Sequence, residues 1–466
     1  MTEEGKDEEE EYSLKKAVKF SFGGFTDVIF FQFFTFLIFT FYFSVAELHA
    51  GLISLGFIIW SIWNAINDPL LGAISDRSGL RWGRRKPFII LGIIPLIIVN
   101  ILLWTPPLEP KPLTFIYFLI IIIVWELFYT MYSLNQTSLF PEMFRDLDQR
   151  AKANTSIQFF QVISLLIAFI LPSLFIPRYN NPAYYMEYIY TAITISIICA
   201  VGGFIFIKFG FKERIEFSKE HERAPSFLKA LKYSFGNKSF RLFLIGNFAI
   251  WFGFGMIPTL MPLYGDVCLH VQDSFLLSLI LGTGFVAAAL FMFLWRIIVH
   301  KLGAKNSFIL SLIVFIIALL PLLFIADAIL GFLFFFILGI GLAGVMIVRD
   351  VTIAAIIDED ELTTGTRREG SFYGVNGFII KLSNVAVFVS IAIVFIGTNW
   401  DIFDITTITG ANEFGLRSLM VFFPMGFMII GILAMSYFPI NKEKYDKITE
   451  DARKLHLKKK ESILSK

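Results

Sequence analysis

The stretch NAINDPLLGAISDRSGLRWGRRKP, residues 64–87, decides how the rest of the chain is read. Asp68 stands inside an otherwise apolar run of helical length, and a dense basic loop follows at once. Burying a carboxylate in hydrocarbon costs on the order of several kcal/mol, and such residues mark ion or substrate paths. The loop holds Arg77, Arg81, Arg84, Arg85 and Lys86, the charge type that keeps a helix end in the cytoplasm. The segment therefore implies membrane location, an orientation and a candidate coupling site.

The composition agrees. Apolar residues make up 56% of the chain and 55 residues are phenylalanine, more than a soluble domain of this length covers. They fall in runs such as FIILGIIPLIIVNILLW (88–104), of the length that crosses a ~30 Å hydrocarbon layer as helix. The net charge of +2 implies no global acidic or basic partner, and nucleic acid is not expected. The two cysteines, Cys199 and Cys268, read as unpaired thiols. The acidic start MTEEGKDEEEEY is unlike a cleavable signal, so the first span is expected to direct insertion.

Twelve spans are predicted: 17–45, 51–75, 87–105, 113–138, 153–177, 187–209, 239–264, 272–296, 306–326, 329–356, 371–397 and 415–438. The loops after even-numbered spans carry the basic residues, from Arg77 to Lys86, Arg145 to Lys152, Lys212 to Lys238, Lys301 to Lys305, and Arg367 with Arg368. The opposite loops hold little beyond Lys111, Arg178 and Arg417. A cell-membrane protein with both termini cytoplasmic is expected. The predicted domains are an N-terminal tail (1–16), a six-helix bundle (17–209), a charged linker (210–238), a second bundle (239–438) and a C-terminal tail (439–466).

The halves carry related segments. SLFPEMFRDLDQR (138–150) and AAIIDEDELTTGTRR (354–368) each end a span with acids and then reach arginine. Two six-helix halves around a cavity describe a rocking transporter.

These landmarks resemble the glycoside–pentoside–hexuronide:cation symporters, the melibiose-permease-like branch of the major facilitator superfamily. SFGGFTDVIFF (21–31) resembles the family's first span, and WNAINDPLLGAISDRSGLRWGRRKPF (63–88) its most specific signature. TMYSLNQTSLFPEMFRDLDQR (130–150) and DEDELTTGTRREGSFYGVNGFIIKLSN (358–384) are further matches. The resemblance implies an all-α integral membrane protein of the major facilitator fold, twelve helices in two six-helix bundles. It implies inward movement of a sugar or glycoside with Na⁺, Li⁺ or H⁺.

Asn64 and Asp68 are four apart and share a helix face, with Asn67 adjacent. A hard cation wants an oxygen cage. Asp68 offers a carboxylate, Asn64 and Asn67 offer amide carbonyls, and Thr130 a hydroxyl. The resemblance marks these four as the cation site, with an aspartate usual at the position of Asn64. With one charge missing, a lone desolvated Asp68 would be relieved by taking up a proton, so H⁺ coupling is favoured over Na⁺. In the plainer reading Asp68 only caps or kinks the helix before Pro69.

The resemblance places Asp27 at a sugar contact and Lys381 at a lysine facing the cavity. A carboxylate accepts sugar hydroxyl hydrogen bonds strongly. Lys381 could balance Asp27 or Asp68, hold an anionic substrate, or form only a helix–helix ion pair. Ser133, Thr137 and Gln158 replace an aspartate, a tryptophan and an arginine of the melibiose-permease type, which argues against a melibiose-like galactoside. Tyr129, Tyr132, Tyr373, Asn376 and Gln158 could line the cavity or join helices by hydrogen bonds.

Arg349 and Asp350 lie within span 10. Neighbours point about 100° apart on a helix, so they need not pair. Arg349 could bind an acidic substrate group; an Arg349–Glu126 or Arg349–Asp27 lock is the favoured plain alternative. Arg84, Arg85, Arg150, Glu142, Asp146, Asp358, Arg367 and Glu369 fall at cytoplasmic helix ends, where the family reading is a salt-bridge gate. Surface pairs give ~0–1 kcal/mol each, so a gate needs the network. In the C-terminal tail, Ile448, Ala452 and Leu455 share one face.

A membrane enzyme would need a catalytic cluster at one face. His49, His221, His270, His300 and His456 are scattered, which disfavours it. A lysolipid-like or other amphipathic anionic solute is the alternative inside transport. The phenylalanine-rich spans permit it but read first as ordinary lipid-facing surface. The expected partners are a small solute and membrane lipid, with the chain acting as a monomer and no cofactor beyond the coupling ion.

Overall fold

The computed structural model describes residues 13–76, 83, 85–144, 147–211, 233–365, 368–404 and 406–464. Ten helices are long and apolar enough to cross a membrane. Helix α1 (Leu14–Thr40) runs on into a π-helical turn, Phe41–Val45. It is followed by α2 (Ala50–Asp76), α3 (Lys86–Leu102), α4 (Lys111–Ser138), α5 (Leu147–Ile170) and α6 (Tyr185–Ile205). The second half begins with α7 (Lys238–Val267).

The trace Ser274–Leu319 bends back at Gly303, whose φ is 73°. It therefore counts as two antiparallel helices, α8 (274–302) and α9 (304–319). Only glycine takes this left-handed conformation readily, and a Cβ there would lie 2.9 Å from Lys442 Cα. Next come α10 (Ala328–Thr364), α11 (Glu369–Gly397), α12 (Gly410–Met420 with Phe422–Ser436) and a tail helix α13 (Lys442–Leu464). Helix α3 is the short apolar member. With it and the bend at Gly303, the twelve expected spans are all present as helices.

The turns between helices lie at two ends of the molecule. The terminal end carries the start of α1, the ends of α2, α4, α6, α8 and α10, the starts of the helices that follow them, and the tail helix α13. The far end carries the others. Side-chain caps start helices near where the sequence turns polar. Asp273 accepts from Leu276 N at 2.7 Å, Asp327 from Leu330 N at 2.9 Å, and Asn237 from Phe240 N at 3.0 Å.

Helix α1 packs inside the N-terminal bundle. Phe30, Phe33, Phe34, Phe36, Phe39, Phe41 and Phe43 are fully or almost fully buried. The phenylalanines of this span are thus interior packing, against the expectation that they face lipid. Broad rings fill the gaps between helices, as in Phe34 stacked on Trp125 at 4.2 Å. Arg417, expected as a far-side loop charge, is instead buried in α12. It donates to the carbonyls of Leu322, Ile325 and Cys268 and pairs with Glu413. Cys199 and Cys268 are both free and buried.

At the far end the two bundles are closed on each other. Phe57 of α2 and Phe388 of α11 stack at 3.6 Å with planes 5° apart. Phe39 and Phe43 meet Phe395, and Phe43 meets Trp400. Phe169 of α5 stacks on Phe285 of α8 at 5.1 Å. Polar contacts surround these rings. Tyr179 Oη and Ser278 Oγ are 2.8 Å apart, and Asn180 donates to Pro262 O at 2.8 Å and Asp266 Oδ2 at 3.3 Å. Arg178 lies 3.6 Å from the buried Asp266, and Ala50 N donates to Asp401 O at 2.9 Å.

Candidate transport site

The interface between the bundles carries its ionisable groups near mid-helix. Helix α2 continues unbroken past Pro69, so Asp68 is neither a cap nor a helix end. Its side chain points across the interface. Lys381 of α11 donates to both Asp68 Oδ2 and Asn64 Oδ1, and its Nζ lies 4.0 Å from Glu126 Oε1. The Asp68 and Lys381 side chains are 30% and 28% exposed, so water reaches this pair. Glu126 behind them is buried.

Thr130 joins the two acids. Its Oγ1 is 3.2 Å from Asp68 Oδ1 and 3.0 Å from Glu126 Oε1. Asn67 is fully buried and turns away, its Nδ2 donating to the Glu126 backbone carbonyl at 3.3 Å. The structure thus gathers Asn64, Asp68, Thr130 and Lys381, and places Asn67 beside them, its amide oxygen without a hydrogen bond among the described residues.

Glu126 changes the charge count. The sequence suggests Asp68 as a lone carboxylate, with one acid missing at Asn64. The structure has a second carboxylate a turn below Thr130, on the facing helix. Helix α2 has one acid fewer than expected and α4 supplies one.

Asp27 lies on α1, with the Tyr129 and Ser133 hydroxyls of α4 approaching its carboxylate. One of its oxygens is buried without a hydrogen bond among the described residues. Tyr129 stacks on Trp125 at 4.9 Å and on Phe31 at 5.5 Å. An acceptor, two hydroxyls and an aromatic ladder are therefore contiguous with the charged cluster.

Of the other expected lining groups, two join helices. Tyr132 is buried and donates to Gly23 O at 3.0 Å. Asn376 accepts from Asn247 of α7 at 2.6 Å. Gln158, Thr137 and Tyr373 are exposed.

Arg349 forms neither expected lock. Glu126 belongs to the Lys381 cluster, and Arg349 instead bonds its own neighbour, with Nε donating to Asp350 Oδ1 at 2.9 Å. Its guanidinium also covers the Trp251 ring at 5.1 Å. An offset of about 100° at the backbone does not separate side chains as long as arginine's, so adjacent residues can close a pair.

At the terminal end Arg85 is buried and donates to Asn135 at 3.3 Å. Arg368 grips Asp360 with two bonds, of 2.9 and 2.6 Å, which raises the arginine's pKa further above its ordinary value. Asp358 lies two residues before Asp360 on the same helix. Of the other expected gate residues, Arg84, Asp146 and Arg367 lie outside the described residues, as do the side chains of Glu142, Arg150 and Glu369.

Glu126 is the residue sequence reasoning undervalued. It stands in IIIIVWELFYT (120–130), and an acid amid so apolar a run was itself the signal. Asp266 and Asn180 lie just beyond predicted spans, where polar residues are ordinary and carry no signal.

Two six-helix bundles, a charged link between them and a seal at one end define a secondary transporter of the major facilitator fold rather than an enzyme. Residues 20–442 match the MFS/sugar transport protein family, and the chain belongs to it. Its class of activity is cation-coupled symport of a sugar or glycoside. The chain is 25% identical to an uncharacterized symporter, sll1374, of Synechocystis sp., over 87% of this chain and 90% of that one. It is 23% identical to an isoprimeverose transporter of Lactiplantibacillus pentosus, over 74% of this chain and 72% of that one. A crystal structure of the nucleoside transporter NupG has the same fold, with a TM-score of 0.64 at 12% identity, covering 91% of this chain and 98% of the other.

Proposed function

We propose that the protein imports a sugar or glycoside together with a proton, with both termini in the cytoplasm of the cell and the far end facing outward. The structure then represents the inward-open state. The observation that carries the ion assignment is the position of Lys381. Its ammonium sits among the oxygens of Asn64, Asp68 and Glu126, where a bound Na⁺ would have to be. A resident cation that is part of the chain leaves a proton as the mobile one. With Asp68, Glu126 and Lys381 all charged the cluster carries one net negative charge, and a single proton neutralises it.

Asp27, Ser133 and Tyr129 are suited to sugar hydroxyls, and the half-buried rings of Tyr129 and Phe31, backed by Trp125, to the apolar face of a pyranose. Arg349 is already engaged by Asp350 and Trp251, which favours a neutral solute over an acidic one. The isoprimeverose transporter among the relatives supports a sugar or glycoside in this role. In the outward-open state, Arg84, Arg85, Arg150 and Arg367 would meet Glu142, Asp146, Asp358 and Glu369 and close the inner mouth. The central pair, Asp68 with Lys381, would be re-formed around each protonation event.

The test is uptake into sealed proteoliposomes, using isoprimeverose and any sugar that raises the melting temperature of the purified protein. An imposed proton gradient is expected to drive accumulation without sodium. Accumulation driven by Na⁺ alone, with no proton movement, would defeat the assignment.

A further inference from the structure

We propose that Glu126, not Asp68, binds the transported proton, and that Thr130 is the relay connecting it to the water-exposed Asp68–Lys381 pair; this rests on the proton-coupled reading above. The argument is a count of hydrogens. Thr130 Oγ1 lies within 3.2 Å of a carboxylate oxygen on each side, Asp68 Oδ1 and Glu126 Oε1. A hydroxyl has one proton to donate, and an ionised carboxylate has none. With both acids ionised, one of these two contacts sets acceptor against acceptor. With one acid protonated, the chain is complete from carboxyl to hydroxyl to carboxylate.

Lys381 decides which acid holds the proton. Its ammonium donates directly to Asp68, which stabilises that group as the anion. It stands 4.0 Å from Glu126, beyond hydrogen-bond range. Glu126 is fully buried, and its second oxygen has no hydrogen bond among the described residues. The Trp60 indole approaches that carboxyl, but its N–H makes no hydrogen bond of ordinary geometry among the described residues. The neutral acid fits this site: Glu126 donates to Thr130, and Thr130 donates to Asp68.

The surroundings bring no competing cation among the described residues. From α2 the carboxyl meets Asp68 and from α11 Lys381; on its own helix it meets Thr130. Asp27 of α1 stands on the far side of Tyr129. Within the described part of α3 the one ionisable residue is Lys86, at its end. Proton release would follow when Lys381 moves from Asp68 toward Glu126 as the bundles rock. The lysine's attraction would then favour the Glu126 anion, and the proton would leave through Thr130 to water at the Asp68 side.

The experiment needs no known substrate. Infrared spectra of the purified protein at neutral pH resolve the carbonyl stretch of protonated carboxyls, identified by its downshift in heavy water. The expected result is a band lost in Glu126→Gln and kept in Asp68→Asn and Asp27→Asn. Loss in Asp68→Asn alone would overturn the assignment while leaving proton coupling intact, and a band surviving in Glu126→Gln would overturn it too. Should Glu126→Gln not fold, Thr130→Val decides. Removing the acceptor should shift the band upward, and Thr130→Ser should restore it; an unmoved band refutes the relay. Sodium-driven uptake by the wild-type protein removes the underlying reading, and that result is read without any variant.

Discussion

The bundles meet in two places made of opposite materials. The far end is closed by stacked rings and by short bonds among largely neutral groups, with Phe57 on Phe388 as its tightest contact. The centre is closed by one ammonium shared between carboxylate and amide oxygens. A ring seal separates at a cost set by contact area and is indifferent to ions. The central link changes strength whenever a proton or the lysine moves. On the proposed reading, the seal governs how readily the far end opens, and the cluster governs whether that opening is tied to transport.

The sharpest break in that division is Asp68→Asn. Accumulation against a gradient should fall at least tenfold in proteoliposomes, each decade being ~1.4 kcal/mol of lost coupling, while the far-end seal stays as it was. A variant that still concentrated solute normally would merge the two regions into one.

Phe57→Ala should act the other way. Removing a buried ring costs about 3–5 kcal/mol in comparable cores, so the purified protein should melt at a lower temperature and favour the outward-open state. Cys268 reports that opening. It lies at the far end, and burial pushes its thiol up to about 12. Only the thiolate reacts, so labelling by maleimide in a Cys199→Ser background should be slow at pH 8 and rise ~tenfold per pH unit below that value. Phe57→Ala should accelerate it several-fold at fixed pH. No acceleration would mean that the rings are not what keeps the mouth shut.

Asp266→Asn tests the polar margin of the same seal. It weakens the contact with Arg178 and leaves Asn180 its bond to Pro262 O. Cys268 labelling should rise less than in Phe57→Ala, by about twofold to threefold, the effect of ~0.5 kcal/mol. The smallest effect is expected of Arg349→Gln, with uptake of a neutral sugar held within about twofold, since the arginine is engaged by Asp350 and Trp251. A large loss would put Arg349 in the binding site.

Most of the architecture was legible because hydrocarbon thickness and the placement of arginine and lysine are written directly in residue order. The fold class followed from the span lengths and the resemblance, and of the partners open to Lys381 the structure selects Asp68. The cost of intramembrane charge applies to Glu126 as to Asp68, yet no pattern of spacing connects residue 126 to residue 68. Two helices bring them together, and only coordinates show Thr130 between them. The pairing of Arg349 with Asp350 is left open by the sequence for a different reason: backbone angles do not report the reach of a flexible side chain. The interior role of the α1 phenylalanines was hidden because a ring facing lipid and a ring facing another helix look identical in a sequence.

The tail helix has a practical consequence. Ile448 and Ala452 are buried on the inner face of α13, Leu455 is half-buried, and Lys444 pairs with Glu359 of α10. Lys305, at the start of α9, reaches the carbonyl of Ser436 beside it. All these anchors belong to one half of the molecule. A fluorophore on α13 would ride with that half as on a lever arm, and a second dye near the start of α1 would ride with the other. Energy transfer between them would then follow the rocking of single molecules in real time, leaving the ring seal and the charged centre untouched.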